Sequence, residues 1–135
     1  MRTRQPPSAN FTKYRSQAWL PDTGSSHHVT PDLSSFDNFE AYYGEDNLHV
    51  GNGKGLPILH IGSSHLSSPN KTFSFKYILH VPDIKQNLLY VQKFCLDNHM
   101  YFEFHSTLFV MKDKFTHTIL LMSPNNGGLY SFRLP

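Results

Sequence analysis

Past residue 47 the chain breaks into short apolar runs separated by turn-forming residues. Leu48-His49-Val50 comes first, followed by runs over residues 56–61, 72–81, 100–105, 107–111, 118–122 and 129–132. Their length and their content of Val, Ile, Leu, Phe, Tyr and Thr predict β-strands. Gly51-Asn52-Gly53-Lys54-Gly55 supplies the glycines that a hairpin tip needs for positive φ, and residues 67–71 and 124–128 are comparable breaks. One stretch has another period. Between Asn87 and Asp97, Leu88, Leu89, Val91, Phe94, Cys95 and Leu96 fall mostly three and four apart, which predicts a helix with one buried face. Upstream, Gln17-Ala18-Trp19-Leu20-Pro21 is a short apolar run. Thr30-Pro31-Asp32-Leu33 pairs an N-cap residue with proline at the first helical position and predicts a brief helical turn. Many short strands and one substantial helix make a small all-β, barrel-like domain the expected fold.

Composition narrows this further. The 135 residues, 39% hydrophobic and 14% aromatic, suit one domain with a modest core, and the aromatic content opposes disorder. Residues 1–16 carry Arg2, Arg4, Lys13 and Arg15 among Pro6, Pro7, Ser8 and Asn10 without an acidic residue. They read as a flexible basic arm ahead of a single domain over residues 17–135. A net charge of +2 is too weak to make nucleic acid an expected partner. Cys95 is the lone cysteine, so no intrachain disulfide is possible and a reducing, cytoplasmic setting is expected. The opening residues lack the apolar core of a signal peptide, and no stretch approaches the roughly 18 apolar residues of a membrane span, so no membrane partner is expected.

The candidate chemistry begins at Asp22-Thr23-Gly24. A carboxylate at a strand end can enter a cleft, a neighbouring hydroxyl can brace it, and glycine permits a tight turn or a close approach. These three letters alone equally suit an ordinary turn between strands. Their surroundings say more. Trp19-Leu20-Pro21-Asp22-Thr23-Gly24-Ser25-Ser26-His27-His28-Val29-Thr30 resembles the catalytic signature of the aspartic protease in copia-type LTR retrotransposon Gag-Pol polyproteins. Two further segments resemble that family in the same order: Val50-Gly51-Asn52-Gly53 with Leu56-Pro57-Ile58 and Gly62, and the stretch from Leu79-His80-Val81-Pro82 through Asn87-Leu88-Leu89-Tyr90-Val91. The likeness runs from about Trp19 to Phe132.

What the resemblance implies is a small closed β-barrel of the retropepsin type with one short helix, whose protomer supplies one catalytic aspartate. Asp22, Thr23 and Gly24 would form the catalytic turn. Ser25, Ser26 and His28, with Val50, Gly51, Asn52 and Gly53 of a closing hairpin, would bind the peptide or polyprotein substrate, although His28 reads from its residue type more readily as a satisfied structural histidine. Aspartic proteolysis needs two adjacent carboxylates sharing a proton. No other aspartate here is followed by Thr-Gly or Ser-Gly, so an active enzyme requires a homodimer that joins two Asp22 side chains across a two-fold axis. Virus-like particles are the implied setting when the element is active.

The alternative is a catalytically silent β-barrel interaction module of the same ancestry, its Asp-Thr-Gly turn kept as structure. No cofactor or metal is expected, because the nine histidines are scattered without ligand-type spacing. Cys95 reads as a buried small hydrophobe. The glycines of residues 51–55 lack the spacing and the following Ser or Thr of a phosphate loop. Retropepsins in general carry a glycine where Ile84-Lys85-Gln86-Asn87 has none, a departure that copia-type sequences share, and Tyr90 stands where the copia-type family commonly has Ser.

Overall fold

The computed structural model describes residues 18–22, 24–68, 71–126 and 129–130. The basic arm of residues 1–16 and Thr23 lie outside the described residues. Six strands make one mixed sheet, in spatial order β1 (Trp19–Asp22), β8 (Asn87–Tyr90), β2 (His28–Thr30), β7 (Lys71–His80), β6 (His60–Ser68) and β3 (Asn38–Ala41). A second sheet orders β12 (Leu129–Tyr130), β11 (Ile119–Asn126), β10 (Leu108–Asp113) and β9 (Met100–Phe104), and β4 (Leu48–His49) pairs with β5 (Gly55–Leu56) as a separate hairpin. The expected all-β class is observed, but the expected closed barrel is not. Among the described residues the six-stranded sheet ends at β1 and β3. The Tyr42 amide donates to the Leu59 carbonyl at 2.9 Å, so the β3–β6 ladder runs on toward the β4–β5 hairpin instead of returning to β1.

The helix expected over residues 87–97 is shorter at its start. Asn87–Tyr90 is a strand, parallel to β1 and in contact with β2 through Val29 and Leu88, and the helix α1 spans Val91–Asn98. Adjacent leucines satisfy a period of two as well as one of 3.6. Wedged between β1 and β2, the segment satisfies its main chain by pairing, with Asn87 and Leu89 buried on one face. α1 ends at His99, which adopts the left-handed conformation (φ 52°) and donates its amide to the Cys95 carbonyl. The helical turn expected from Thr30 is a 3-10 turn, Leu33–Ser35. Its cap is Asp32, whose carboxylate accepts from the Ser34 amide at 3.0 Å. Strands β2 and β3 were not expected, being three or four residues long and largely polar.

Side chains alternate across the sheet and build two cores. Phe73, Phe75 and Ile78 of β7 join Trp19, Phe94 of α1 and Phe109 of β10 on one side, whereas Leu79 and Val81 join Val29, Leu56 and Ile58 on the other. The rings of Trp19 and Phe75, and those of Phe75 and Phe94, have centroids 4.7 Å apart. Strict alternation from Phe73 and Phe75 would bring Tyr77 inward. A β-bulge prevents this: Gly62 faces Ile78 and Ser64 faces Phe75, so Lys76 and Tyr77 together oppose Ser63. The extra residue restores Ile78 to the core face and turns Tyr77 out, 64% exposed, at φ 60°. Cys95 packs half-buried against the first core as expected, and burial pushes its thiol up to about 11, which makes it a poor nucleophile.

Candidate active site

β1 ends in Asp22, and the chain then turns sharply. The Gly24 amide donates to Asp22 Oδ1 at 2.8 Å and the Ser25 amide donates to the Asp22 carbonyl at 3.3 Å. Ser25 Oγ donates to the His27 carbonyl at 2.7 Å, and Ser26 Oγ lies 3.0 Å from His27 Nδ1, so both hydroxyls hold the exit of the turn toward β2. Opposite stands the tip of the β4–β5 hairpin. There the Gly53 amide donates to the Val50 carbonyl at 2.7 Å, the Val50 amide to the Lys54 carbonyl at 3.1 Å, and Asn52 Oδ1 accepts from the Lys54 amide at 2.9 Å. Gly53 sits at φ 83°, a conformation that glycine takes without strain.

Between turn and tip lies a cavity of about 270 Å³. Asp22, Gly24, Ser25 and Ser26 line one side and Val50 and Gly51 the other, with apolar Val29, Ile84 and Leu88 completing the wall. Six of the expected site residues, far apart in sequence, thus share one space. Thr23 lies outside the described residues. Asn52 and Gly53 shape the tip without lining the cavity.

His28 is elsewhere. It has no exposed surface, and its ring packs against Phe75, Tyr90 and Phe94. Its Nδ1 accepts the Tyr90 amide proton at 2.9 Å, which assigns the ring proton to Nε2, and Nε2 is enclosed without a hydrogen-bond partner. Burial pulls its pKa down from 6.5 to about 4, with Lys93 and His27 adding to the effect and Asp97 opposing it. The enclosed ring lines no part of the cavity, and its bond to the Tyr90 amide pins β2 to β8.

A second buried device was not foreseen. Asn87 Nδ2 donates to the Ala18 carbonyl at 3.0 Å, and Thr30 Oγ1 donates to Asn87 Oδ1 at 2.6 Å. One amide therefore ties the strand entering the Asp22 turn, the strand leaving it and the strand between them. Nothing local in the sequence marks this, because the partners are 69 and 57 residues away. Asn87→Leu keeps the volume but deprives the Ala18 carbonyl of its donor and Thr30 of its acceptor. It is expected to lower unfolding stability by about 2 kcal/mol in a urea titration; an unchanged midpoint would show that the clamp contributes nothing.

Among the described residues no group of three or more His, Cys, Asp or Glu side chains could hold a metal ion. Nor is any described helix long and apolar enough to cross a membrane.

Comparison with known proteins places this geometry in a family. Residues 19–101 match the family described as Pol polyprotein, beta-barrel domain. Over 129 residues, 93% of this chain, the sequence is 35% identical to a retrovirus-related Pol polyprotein from transposon RE1 of Arabidopsis thaliana and 32% identical to that from transposon RE2 of the same plant. The chain spans only 9% of the length of either relative. No solved structure matches significantly. With the match covering the Asp22 turn, the hairpin, the Asn87 clamp and α1, the chain belongs to the β-barrel domain family of retrotransposon Pol polyproteins.

Proposed function

We propose that the chain is one protomer of a copia-type, retropepsin-like aspartic endopeptidase that processes its own polyprotein as a homodimer. The observation that carries this reading is the position of Asp22, at a strand end in a cavity closed by a glycine-rich hairpin tip. Two such turns meeting across a two-fold axis would bring two Asp22 carboxyls together. The ionised one takes a proton from water, the resulting oxygen nucleophile attacks the scissile carbonyl carbon, and the protonated one donates to the carbonyl oxygen. The hairpin tip would close over an extended peptide and exclude bulk water.

Gly24 supports the dimer. A Cβ there would meet only Asp22 Oδ1, at 3.4 Å, an ordinary contact. Nothing within the described protomer demands glycine, whereas a second backbone approaching across the axis would.

One observation favours the silent module instead. Asp22 Oδ1 already closes its own turn onto the Gly24 amide, as a structural Asx turn would. Concentration separates the two readings. Cleavage of the flanking polyprotein per mole of chain is expected to rise with protein concentration until the dimer saturates, and to be blocked by pepstatin. Pepstatin-insensitive cleavage, or none at concentrations where the chain is dimeric, favours the module.

A further inference from the structure

We propose that His60 and His80 form a proton-operated latch at the root of the hairpin that borders the Asp22 cavity, shut while one N–H bridges the two rings and released when both rings are charged. The latch acts on the hairpin whether or not Asp22 cuts peptides. Residues 42–59 carry the hairpin, and both ends of this segment are tied at one point. The Tyr42 amide donates to the Leu59 carbonyl and the Leu59 amide donates to the His80 carbonyl, each at 2.9 Å. The next residue, His60, opens β6 directly opposite His80 of β7.

There the two rings stack, with centroids 5.0 Å apart and Nδ1 atoms 2.8 Å apart. His80 also donates to the Pro31 carbonyl, which it does through Nε2 because its Nδ1 faces His60. His80 Nδ1 is therefore the acceptor of the bridge and His60 Nδ1 the donor. A first proton goes to His60 Nε2, which has no partner among the described residues, and leaves the bridge intact. A second has only His80 Nδ1 to take it, and that sets two N–H groups and two positive charges head to head.

His80 cannot turn away. It is 7% exposed, Phe36 packs edge-on with centroids 6.2 Å apart, and rotation would break the bond to Pro31. His60 is the ring able to leave, half-buried beneath the edge of Phe39. Besides His60, the charged group acting on His80 is Asp32, which favours the charged ring. The strands on either side add no charge on this face: Ala41 pairs with His60 from β3, and Thr30 pairs with His80 from β2. The start of β6 then parts from β7 where both ends of the hairpin segment are tied. Leu79 and Val81, on either side of His80, share a core with Leu56 and Ile58 of the arm leading out of the hairpin, so the disturbance reaches that arm.

Amide exchange and a probe at the tip test this on the full chain at about pH 7 and about pH 4.5. Met111, enclosed in β10, reports unfolding of the whole domain. Toward acid, protection of the Tyr42 and Leu59 amides in the native chain is expected to fall about tenfold more than that of Met111. His60→Gln should hold the latch shut at both values, because its amide nitrogen donates to a neutral His80 and its oxygen accepts from a charged one. The excess loss should then shrink below about twofold. His60→Leu offers His80 no partner and should leave the root loose at both values. A polarity-sensitive dye on Asn52→Cys, in a Cys95→Ser background, should shift to longer wavelength toward acid, and His60→Gln should abolish the shift. Root amides that follow Met111 in the native chain, or an excess loss that His60→Gln keeps, overturn the latch. A loosened root with an unmoved dye signal overturns it too, since the hairpin would then stay in place.

Discussion

Asp22→Asn is expected to lower peptide cleavage by about 10³-fold or more while leaving the unfolding midpoint almost unchanged. The two halves of this expectation have different origins. The fold uses Asp22 as a hydrogen-bond acceptor: Oδ1 takes the Gly24 amide proton at 2.8 Å, and the amide oxygen of asparagine accepts equally well. Proteolysis uses Asp22 as an acid and a base, and a carboxamide can neither take a proton from water nor give one to a carbonyl. The substitution thus removes the chemistry and keeps the turn, which the removal of the side chain by alanine would not do. Should Asp22 serve only as the corner between β1 and β2, the same substitution would be neutral in every assay. Equal cleavage by the two proteins, measured at the same protein concentration on the flanking polyprotein, would defeat the protease reading. The dimer should survive the change, since only its shared proton is lost, so sedimentation of the variant separates a failure of chemistry from a failure of assembly.

What was legible in advance was the local chemistry. The Asp22 turn and the hairpin of residues 50–55 are each encoded by a few consecutive residues whose backbone needs are plain, and both are where their sequence put them. Residues that act through distant partners were not legible. Thr30 reads as a helix cap from its neighbours, yet its hydroxyl bonds to Asn87 while Asp32 caps the turn. His28 reads as a substrate contact by family likeness and as a structural histidine by residue type, and strand alternation drives it inward with Thr30. Residues 63–68, rich in serine, were missed as strand because their pairing with β7, not their propensity, holds them extended. A barrel-like, β-rich fold was read from the many short strands, and full closure from family likeness. Single-chain patterning carries no information on how two edge strands meet.

Acid is expected to weaken the fold through His28 before it neutralises the surface carboxylates. The unfolded chain binds a proton at this residue near pH 6.5, the folded chain only near about 4. Between these values the unfolded state holds more protons, so stability is complete above about pH 6.5 and falls as the pH drops toward about 4, by about 3 kcal/mol in all. His80 adds to the same trend, its pKa lowered by burial and by His60, whose Nδ1 lies 2.8 Å from its own. The carboxyls of Asp46, Glu103 and Asp113 are all held below their ordinary range by hydrogen bonds, so their contributions disappear only in stronger acid. Urea titrations at about pH 7.5 and about pH 4.5 should therefore differ by roughly 2–3 kcal/mol in the native chain. His28→Phe forfeits the acceptor for the Tyr90 amide and is less stable at both values, but the gap between them should shrink to what His80 leaves. A gap of unchanged size in the variant would remove His28 as its source. On the proposed mechanism this has a functional edge, because a shared-proton carboxyl pair works only where acid supplies that proton. The same acid charges a ring enclosed between β2, β7, β8 and α1, and so loosens the two strands nearest the Asp22 turn. Cleavage should fall on the acid side together with unfolding, and His28→Phe should carry activity, relative to its own maximum, further into acid than the native chain does.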